Sequence, residues 1–136
     1  MNDRPFFDTN ILIYAYVNDP HRTPPAEQLL RSGGQISVQV LNEFTNVLRR
    51  KTRTEWGKIA GWINDILVLC GPPSPVTLAV HEHGFAIARS RQLRIYDGLI
   101  VAAALQAGCN VLYSEDLQDG QEFERQLTVR NPFLGH

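Results

Sequence analysis

The sequence predicts an α/β protein, and three features support this class. Short apolar segments at residues 6–7 and 109–113 have the composition of buried strands. Segments in which apolar residues recur at helical spacing lie between them. Acidic residues follow each of these two strands closely. Because ligands of α/β proteins collect beyond the carboxyl ends of the strands, we expect a functional site at that edge.

The first strand and helix occupy residues 4–16. Pro5 fits near the first residue of a strand because it has no N–H to donate to a neighbouring strand. Two phenylalanines form the body of this strand, and helical spacing begins at Ile11. Asp8 lies between the two elements. It is either a turn or helix-cap residue, or a metal ligand at the strand end.

A second unit begins after a polar loop. A short helix is predicted from about Pro24 to Arg31, Gly33–Gly34 ends it, and Gln35–Val38 predicts a second strand. Apolar residues over 40–48 then recur at helical spacing. Glu43 lies on the edge of that apolar stripe, where a carboxylate is costly unless it is paired, bound to a metal or able to reach water.

Three further helices are expected. The first covers Thr54–Cys70 and is stopped by the proline-rich segment 71–75. The second covers about Thr77–Arg91. The third, Tyr96–Gly108, is apolar nearly all round, as expected for a helix packed on several sides. Asp97 stands at its start, where either a cap or a functional anion is expected.

The last part of the chain predicts two more strands. Cys109–Tyr113 is a buried-type strand, and the acidic loop Ser114–Gly120 follows it. Gln126–Arg130 predicts a short final strand, and residues 131–136 form a tail. This again places acidic residues at the carboxyl end of a strand.

Length and composition are those of one soluble domain covering residues 1–136. The net charge of −1 is unlike that of a generic nucleic-acid binder, so affinity for nucleic acid would need a local basic patch or bound cations. Cys70 and Cys109 are far apart and are expected to be small buried hydrophobic residues. We expect a cytoplasmic protein, because no apolar segment could span a membrane and no signal-peptide pattern opens the chain.

Four acids occupy comparable positions in these units: Asp8, Glu43, Asp97 and Asp116. Right-handed crossovers bring the carboxyl ends of parallel strands to one edge of a sheet, so these carboxylates should lie close together. Carboxylates in a partly dry pocket repel one another, and a hard divalent cation removes that penalty. The pattern therefore predicts a magnesium or manganese site able to activate water and stabilise phosphoryl transfer.

The motifs that carry these acids are Asp8-Thr9-Asn10, Asn42-Glu43-Phe44, Tyr96-Asp97 and Ser114–Gly120. Their order and spacing resemble the PIN domain, and more closely the VapC-type toxins of bacterial and archaeal toxin–antitoxin pairs. The resemblance covers residues 5 to about 130. It implies a PIN-like fold with a central, mostly parallel sheet flanked by helices on both sides, a three-layer α/β/α architecture.

The resemblance also implies an activity, that of a magnesium- or manganese-dependent ribonuclease. The implied catalytic residues are Asp8, Glu43, Asp97 and Asp116. The implied metal ligands are Asp8, Asp97, Asp116 and Asp119. Supporting polar groups that orient these acids would be Thr9, Asn10 and Ser114. The implied partners are an RNA substrate, an antitoxin protein and a second copy of the chain in a homodimer.

Basic residues cluster at the end of the helix that carries Glu43: Arg49, Arg50, Lys51 and Arg53. One interpretation is a solvated helix end whose positive charge complements the helix dipole. The other is a rim that contacts the phosphates of RNA.

Other classes remain as alternatives at this stage. A haloacid-dehalogenase phosphatase needs a second carboxylate two residues after Asp8, where Asn10 stands. A receiver domain needs a lysine after a late strand, and the only lysines are Lys51 and Lys58. A non-catalytic PIN-like interaction module, or a PIN nuclease that processes RNA without being a toxin, would share the same motifs.

Overall fold

The structure is a computed structural model that describes residues 3–134. Its strands are β1 (Phe6–Phe7), β2 (Val111–Tyr113), β3 (Glu122–Phe123) and β4 (Leu127–Arg130). Its α-helices are α1 (Thr9–Tyr16), α2 (Thr23–Ser32), α3 (Val38–Val47), α4 (Trp56–Cys70), α5 (Leu78–Arg91) and α6 (Ile95–Gln106). A π-helical segment, Leu48–Thr52, continues directly from α3.

The four strands form one sheet in the order β1-β2-β4-β3. Strands β1, β2 and β4 are parallel, with Phe6 opposite Leu112 and Leu112 opposite Val129. Strand β3 pairs with β4 in the antiparallel sense. The α-helices surround this sheet. The predicted α/β class with a mostly parallel sheet flanked by helices is therefore confirmed.

Helix α6 is the most buried helix, as its sequence predicted. All residues from Gly98 to Leu105 are buried. It packs closely on α5 through two glycines, since a Cβ at Gly98 would lie only 2.4 Å from the carbonyl oxygen of Gly84. This contact fixes the start of α6, where Asp97 stands.

The predicted strand at Gln35–Val38 is not formed as a strand. Gln35 makes a single bridge to Phe6, and Ser37 makes a single bridge to Ser74. Helix α3 begins at Val38 because the Ser37 side chain caps it, accepting a hydrogen bond from the backbone N–H of Val40 at 3.2 Å. The capping serine thus ends the extended segment before it can become a strand.

Two further features were not predicted. Strand β3 forms a hairpin with β4 through Glu124 and Arg125, which adopt left-handed conformations with φ of 52° and 56°. Neither is a residue type that favours such a turn, so this hairpin could not be predicted from the residue types. The π-helical segment is the second feature.

Among residues 3–134, the structure contains no helix with the length and the apolar character that a membrane span requires.

Candidate active site

The parallel strands bring the predicted acids to one edge of the sheet. The backbone N–H of Asp8 donates to the carbonyl oxygen of Tyr113, and the backbone N–H of Ser114 donates to the carbonyl oxygen of Arg130, both at 3.0 Å. The ends of β1, β2 and β4 therefore lie side by side. An open cavity of about 900 Å³ lies beyond them. The four predicted catalytic acids all line it: Asp8, Glu43, Asp97 and Asp116.

Ser114 joins two of these acids. Its buried hydroxyl donates to Oδ2 of Asp8 at 2.8 Å and accepts hydrogen bonds from the backbone N–H groups of Asp116 at 3.1 Å and Leu117 at 3.3 Å. The other carboxylate oxygen of Asp8 accepts from the N–H of Thr9 at 2.7 Å, so Asp8 also caps α1. The Asp8 side chain therefore caps α1 and lines the cavity at the same time, so the two interpretations of this residue are compatible.

Burial and like charge raise the proton affinity of two acids. The pKa of Asp8 is raised to about 6, mainly by burial; the hydrogen bonds from Ser114 and Thr9 partly lower it, and the charges of Asp116 and Asp97 add a smaller rise. Partial burial, followed by the charges of Asp8 and Asp97, raises the pKa of Glu43 to about 7. The acids therefore repel one another across the cavity.

Glu43 reaches the cavity from α3. Its Oε2 accepts a 3.4 Å hydrogen bond from the hydroxyl of Thr9. Other polar residues on the same side of α3 and its extension also line the cavity: Gln39, Asn42, Asn46 and Arg50. Only Glu43, on the edge of the apolar stripe, was predicted from the sequence as a functional residue of this helix. The helical spacing of residues 39, 43, 46 and 50 is the signal that would have shown a polar face.

Asp97 lies in the first turn of α6 and is paired with Arg94. Nε of Arg94 is 3.3 Å from Oδ2 of Asp97, and Nη2 is 3.4 Å from Oδ1. The Asp97 side chain is 15% exposed and that of Arg94 is 71% exposed. Arg94 thus places a positive charge at the mouth of an otherwise acidic cavity.

Asn10 and Glu115 also line the cavity and are joined by a hydrogen bond. Oδ1 of Asn10 accepts from the N–H of Glu115 at 3.2 Å, while its buried Nδ2 has no hydrogen-bond partner among the described residues. Glu115 binds Arg22 at 2.5 Å, and the Arg22 guanidinium lies 5.2 Å from the ring centre of Tyr14. Glu115 was not predicted as a cavity acid, although it directly precedes Asp116 in the sequence.

The remaining predicted site residues differ in position. Arg50 and Lys51 line the cavity, whereas Arg49 and Arg53 do not. Asp119 is exposed, accepts a 2.8 Å hydrogen bond from the N–H of Asn131, and is not among the residues lining the cavity. Its role as a metal ligand stays a prediction.

The donor set fits a hard divalent cation. Within residues 3–134, no three His, Cys, Asp or Glu side chains already form a cluster that could hold a metal ion. The cavity nevertheless gathers carboxylates from separate elements, and burial together with their mutual repulsion raises the pKa values of Asp8 and Glu43. Oxygen ligands with excess negative charge are what Mg²⁺ and Mn²⁺ select.

Comparison with known proteins gives a family and a fold. The family model of the PIN domain matches residues 6–123. No curated protein matches the chain. Among solved structures, Mycobacterium tuberculosis VapC20, a Sarcin-Ricin loop cleaving toxin, is 21% identical with a TM-score of 0.66, and the match covers 82% of this chain and 89% of that one.

Two toxin–antitoxin structures are also similar. A toxin–antitoxin complex from Klebsiella pneumoniae is 19% identical with a TM-score of 0.70, and the match covers 95% of this chain and 98% of that one. VapBC2 from Rickettsia felis, bound to a DNA fragment from its promoter, is 18% identical with a TM-score of 0.62. That match covers 93% of this chain and 97% of the other. At these identities the likeness establishes the fold.

Proposed function

The chain belongs to the PIN domain family, and we propose that it is a divalent-metal-dependent ribonuclease acting as the toxin of a toxin–antitoxin pair. The observation that carries this proposal is the gathering of Asp8, Glu43, Asp97 and Asp116 on one open cavity at the carboxyl edge of the sheet. A cytoplasmic location and a homodimer are part of the same proposal.

Different residues of the cavity have different proposed roles. Asp8, Asp97 and Asp116 would hold the cation, with Asp119 as a further candidate. Bound Mg²⁺ or Mn²⁺ supplies positive charge and Lewis acidity, which activate water and stabilise the charge of phosphodiester hydrolysis. Ser114 holds Asp8 in one orientation, so this carboxylate is aimed before any ligand arrives.

Glu43 is not among the proposed metal ligands and has a different proposed role. It is only partly buried, its pKa is raised to about 7, and the Thr9 hydroxyl donates to its Oε2. We assign it the role of holding or accepting a proton at that atom during hydrolysis.

The proposed substrate is RNA. Arg50 and Lys51 give the cavity a basic side that can attract phosphates, although the chain carries a net charge of −1. The similar protein from Mycobacterium tuberculosis is described as a Sarcin-Ricin loop cleaving toxin, and the other two similar structures are toxin–antitoxin complexes. These likenesses support an RNA substrate and an antitoxin partner as proposals for this chain.

Cleavage of RNA by the purified protein tests the activity. We expect cleavage with Mg²⁺ or Mn²⁺ and none with EDTA. Asp8→Asn and Asp97→Asn should abolish it, whereas Asp65→Asn on the exposed side of α4 should not. Cleavage that persists in EDTA, or in both cavity variants, would refute the mechanism.

Growth of expressing cells tests the toxin role separately. Expression without a partner should slow growth, and the Asp97→Asn form should not. Equal toxicity of the two forms would show that nuclease activity is not the cause.

A further inference from the structure

The segment that follows α3 is unusual in both geometry and charge. Leu48–Thr52 forms a π-helix, a conformation that is rare and often lies at functional sites. It contains Arg49, Arg50 and Lys51. Arg53 then ends it in the left-handed region with a φ of 53°, and α4 begins at Trp56. We call residues 49–56 the basic tip.

The cationic side chains of the basic tip lie in two different places. Arg50 and Lys51 line the acidic cavity. Arg49 lies instead over the indole of Trp56, with its guanidinium carbon 4.8 Å from the ring centre, and Nη1 donates to the carbonyl of Thr54 at 2.9 Å. The basic tip thus contains both cations that line the cavity and a tryptophan whose ring is in contact with a further cation.

Trp56 has no structural role in the core. It is 65% exposed, which is unusual for so large an apolar side chain. The other tryptophan, Trp62, behaves differently, since it packs against the core and lies 5.2 Å from the ring centre of Tyr16. Among the described residues, Arg49 is the one cation placed over the Trp56 ring. The indole is therefore held in position while most of its surface stays open.

We propose that Trp56 stacks on a base of single-stranded RNA while Arg50 and Lys51 hold the phosphates that lead into the cavity. Every base presents an aromatic face once it is unpaired, and stacking on aromatic side chains combined with a basic track is how single strands are bound. Duplex RNA hides those faces. This proposal rests on the proposed function and adds Trp56 as a residue that positions the RNA beside the cavity.

Binding to a short single-stranded oligoribonucleotide tests this role. The Asp97→Asn form, which should not cleave, serves as the reference, and affinity is measured by fluorescence anisotropy in Mg²⁺. Adding Trp56→Ala should weaken binding roughly ten-fold, as expected for the loss of one stacked base. Trp56→Phe should restore most of the affinity, and Phe85→Ala, which removes an exposed aromatic ring from α5, should leave it unchanged.

An oligonucleotide that lacks bases separates stacking from charge. The Trp56→Ala and reference forms should bind this backbone equally well. Stacking should also quench the Trp56 fluorescence when Trp62→Phe removes the second indole. Unchanged affinity in Trp56→Ala, or an equal loss with the strand that lacks bases, would overturn the proposal. Equal quenching by polyglutamate would assign the surface to an acidic protein segment instead.

The outcomes also separate this role from the catalytic one. If the wild-type protein cleaves RNA but Trp56→Ala binds normally, the stacking role alone fails. If the stacking pattern is found but no RNA is cleaved with Mg²⁺ or Mn²⁺, the catalytic proposal alone fails.

Discussion

The guanidinium of Arg94 lies 3.3 Å from the carboxylate of Asp97, so one of the proposed metal ligands already has a positive partner from its own chain. The positive charge of Arg94 also lowers the pKa of Glu43, against the stronger effects of burial and neighbouring acids. A divalent cation entering the cavity must therefore replace Arg94 at Asp97 or tolerate its charge.

We expect Arg94→Gln to bind Mn²⁺ roughly three- to ten-fold more tightly, because a competing positive charge is removed near a partly solvated site. Isothermal titration calorimetry measures the affinity directly. Arg89→Gln, an exposed change on α5, is the matched control and should have no effect. Weaker or unchanged Mn²⁺ binding in Arg94→Gln would show that this pair does not compete with the metal.

The stability of the metal-free protein should fall as pH rises through the range where Asp8 ionises. Its pKa is raised from 3.8 to about 6, so the folded state binds this proton more tightly than the unfolded chain does. The resulting stability is complete below pH 3.8 and is lost as pH rises through about 6, by on the order of 3 kcal/mol.

Asp8→Asn removes this ionisation and isolates its contribution. In EDTA, the free energy of urea unfolding of the variant should improve relative to wild type between pH 4 and pH 8, by roughly that amount. A difference that stays constant with pH would contradict the raised pKa.

Ser114→Ala should destabilise the fold and disturb the site together. The change removes the hydroxyl that donates to Asp8 and leaves the N–H groups of Asp116 and Leu117 without their acceptor. We expect a loss of about 1–3 kcal/mol in urea unfolding, and a further rise in the pKa of Asp8, which this hydrogen bond lowers. Ser90→Ala, at an exposed serine, should cost less than about 0.5 kcal/mol.

Gly98→Ala should be strongly destabilising. The added Cβ would meet the Gly84 carbonyl, a backbone atom that cannot move without separating α5 from α6. We expect a loss of about 2–4 kcal/mol by thermal unfolding. Gly61→Ala on α4, where an added Cβ meets no atom within 4 Å, should instead stabilise by about 0.5–1 kcal/mol. Equal effects of the two changes would refute the close helix contact.

The parts of the site that sequence could predict follow from topology. Residues at the carboxyl ends of parallel strands share one edge whatever the details of packing, so the positions of Asp8 and Asp116 required only the strands to be recognised. The position of Asp97 could be predicted once the buried helix α6 was recognised, and its apolar composition identifies that helix.

The parts that sequence missed depend on tertiary contacts. Gln35–Val38 has strand composition, but the Ser37 cap and single bridges decide its conformation. Glu124 and Arg125 hold a left-handed turn although neither favours it, with Glu124 bound to His83 of α5 at 2.6 Å. The π-helical segment has no sequence signature either, so the different directions of Arg49 and Arg50 could not be foreseen.

The two margins of the sheet bear on how this protein can associate. Beside β1, the backbone N–H of Gln35 donates to the carbonyl of Pro5, and the carbonyl of Gln35 accepts from the N–H of Phe7. This edge of the sheet is therefore covered. At the far side, β3 is only two residues long, and the Arg91 side chain donates to the carbonyl of Glu122. Among residues 3–134, neither edge offers a long row of open backbone groups for strand addition or amyloid-like stacking. We therefore expect another chain to bind through helical or loop surfaces.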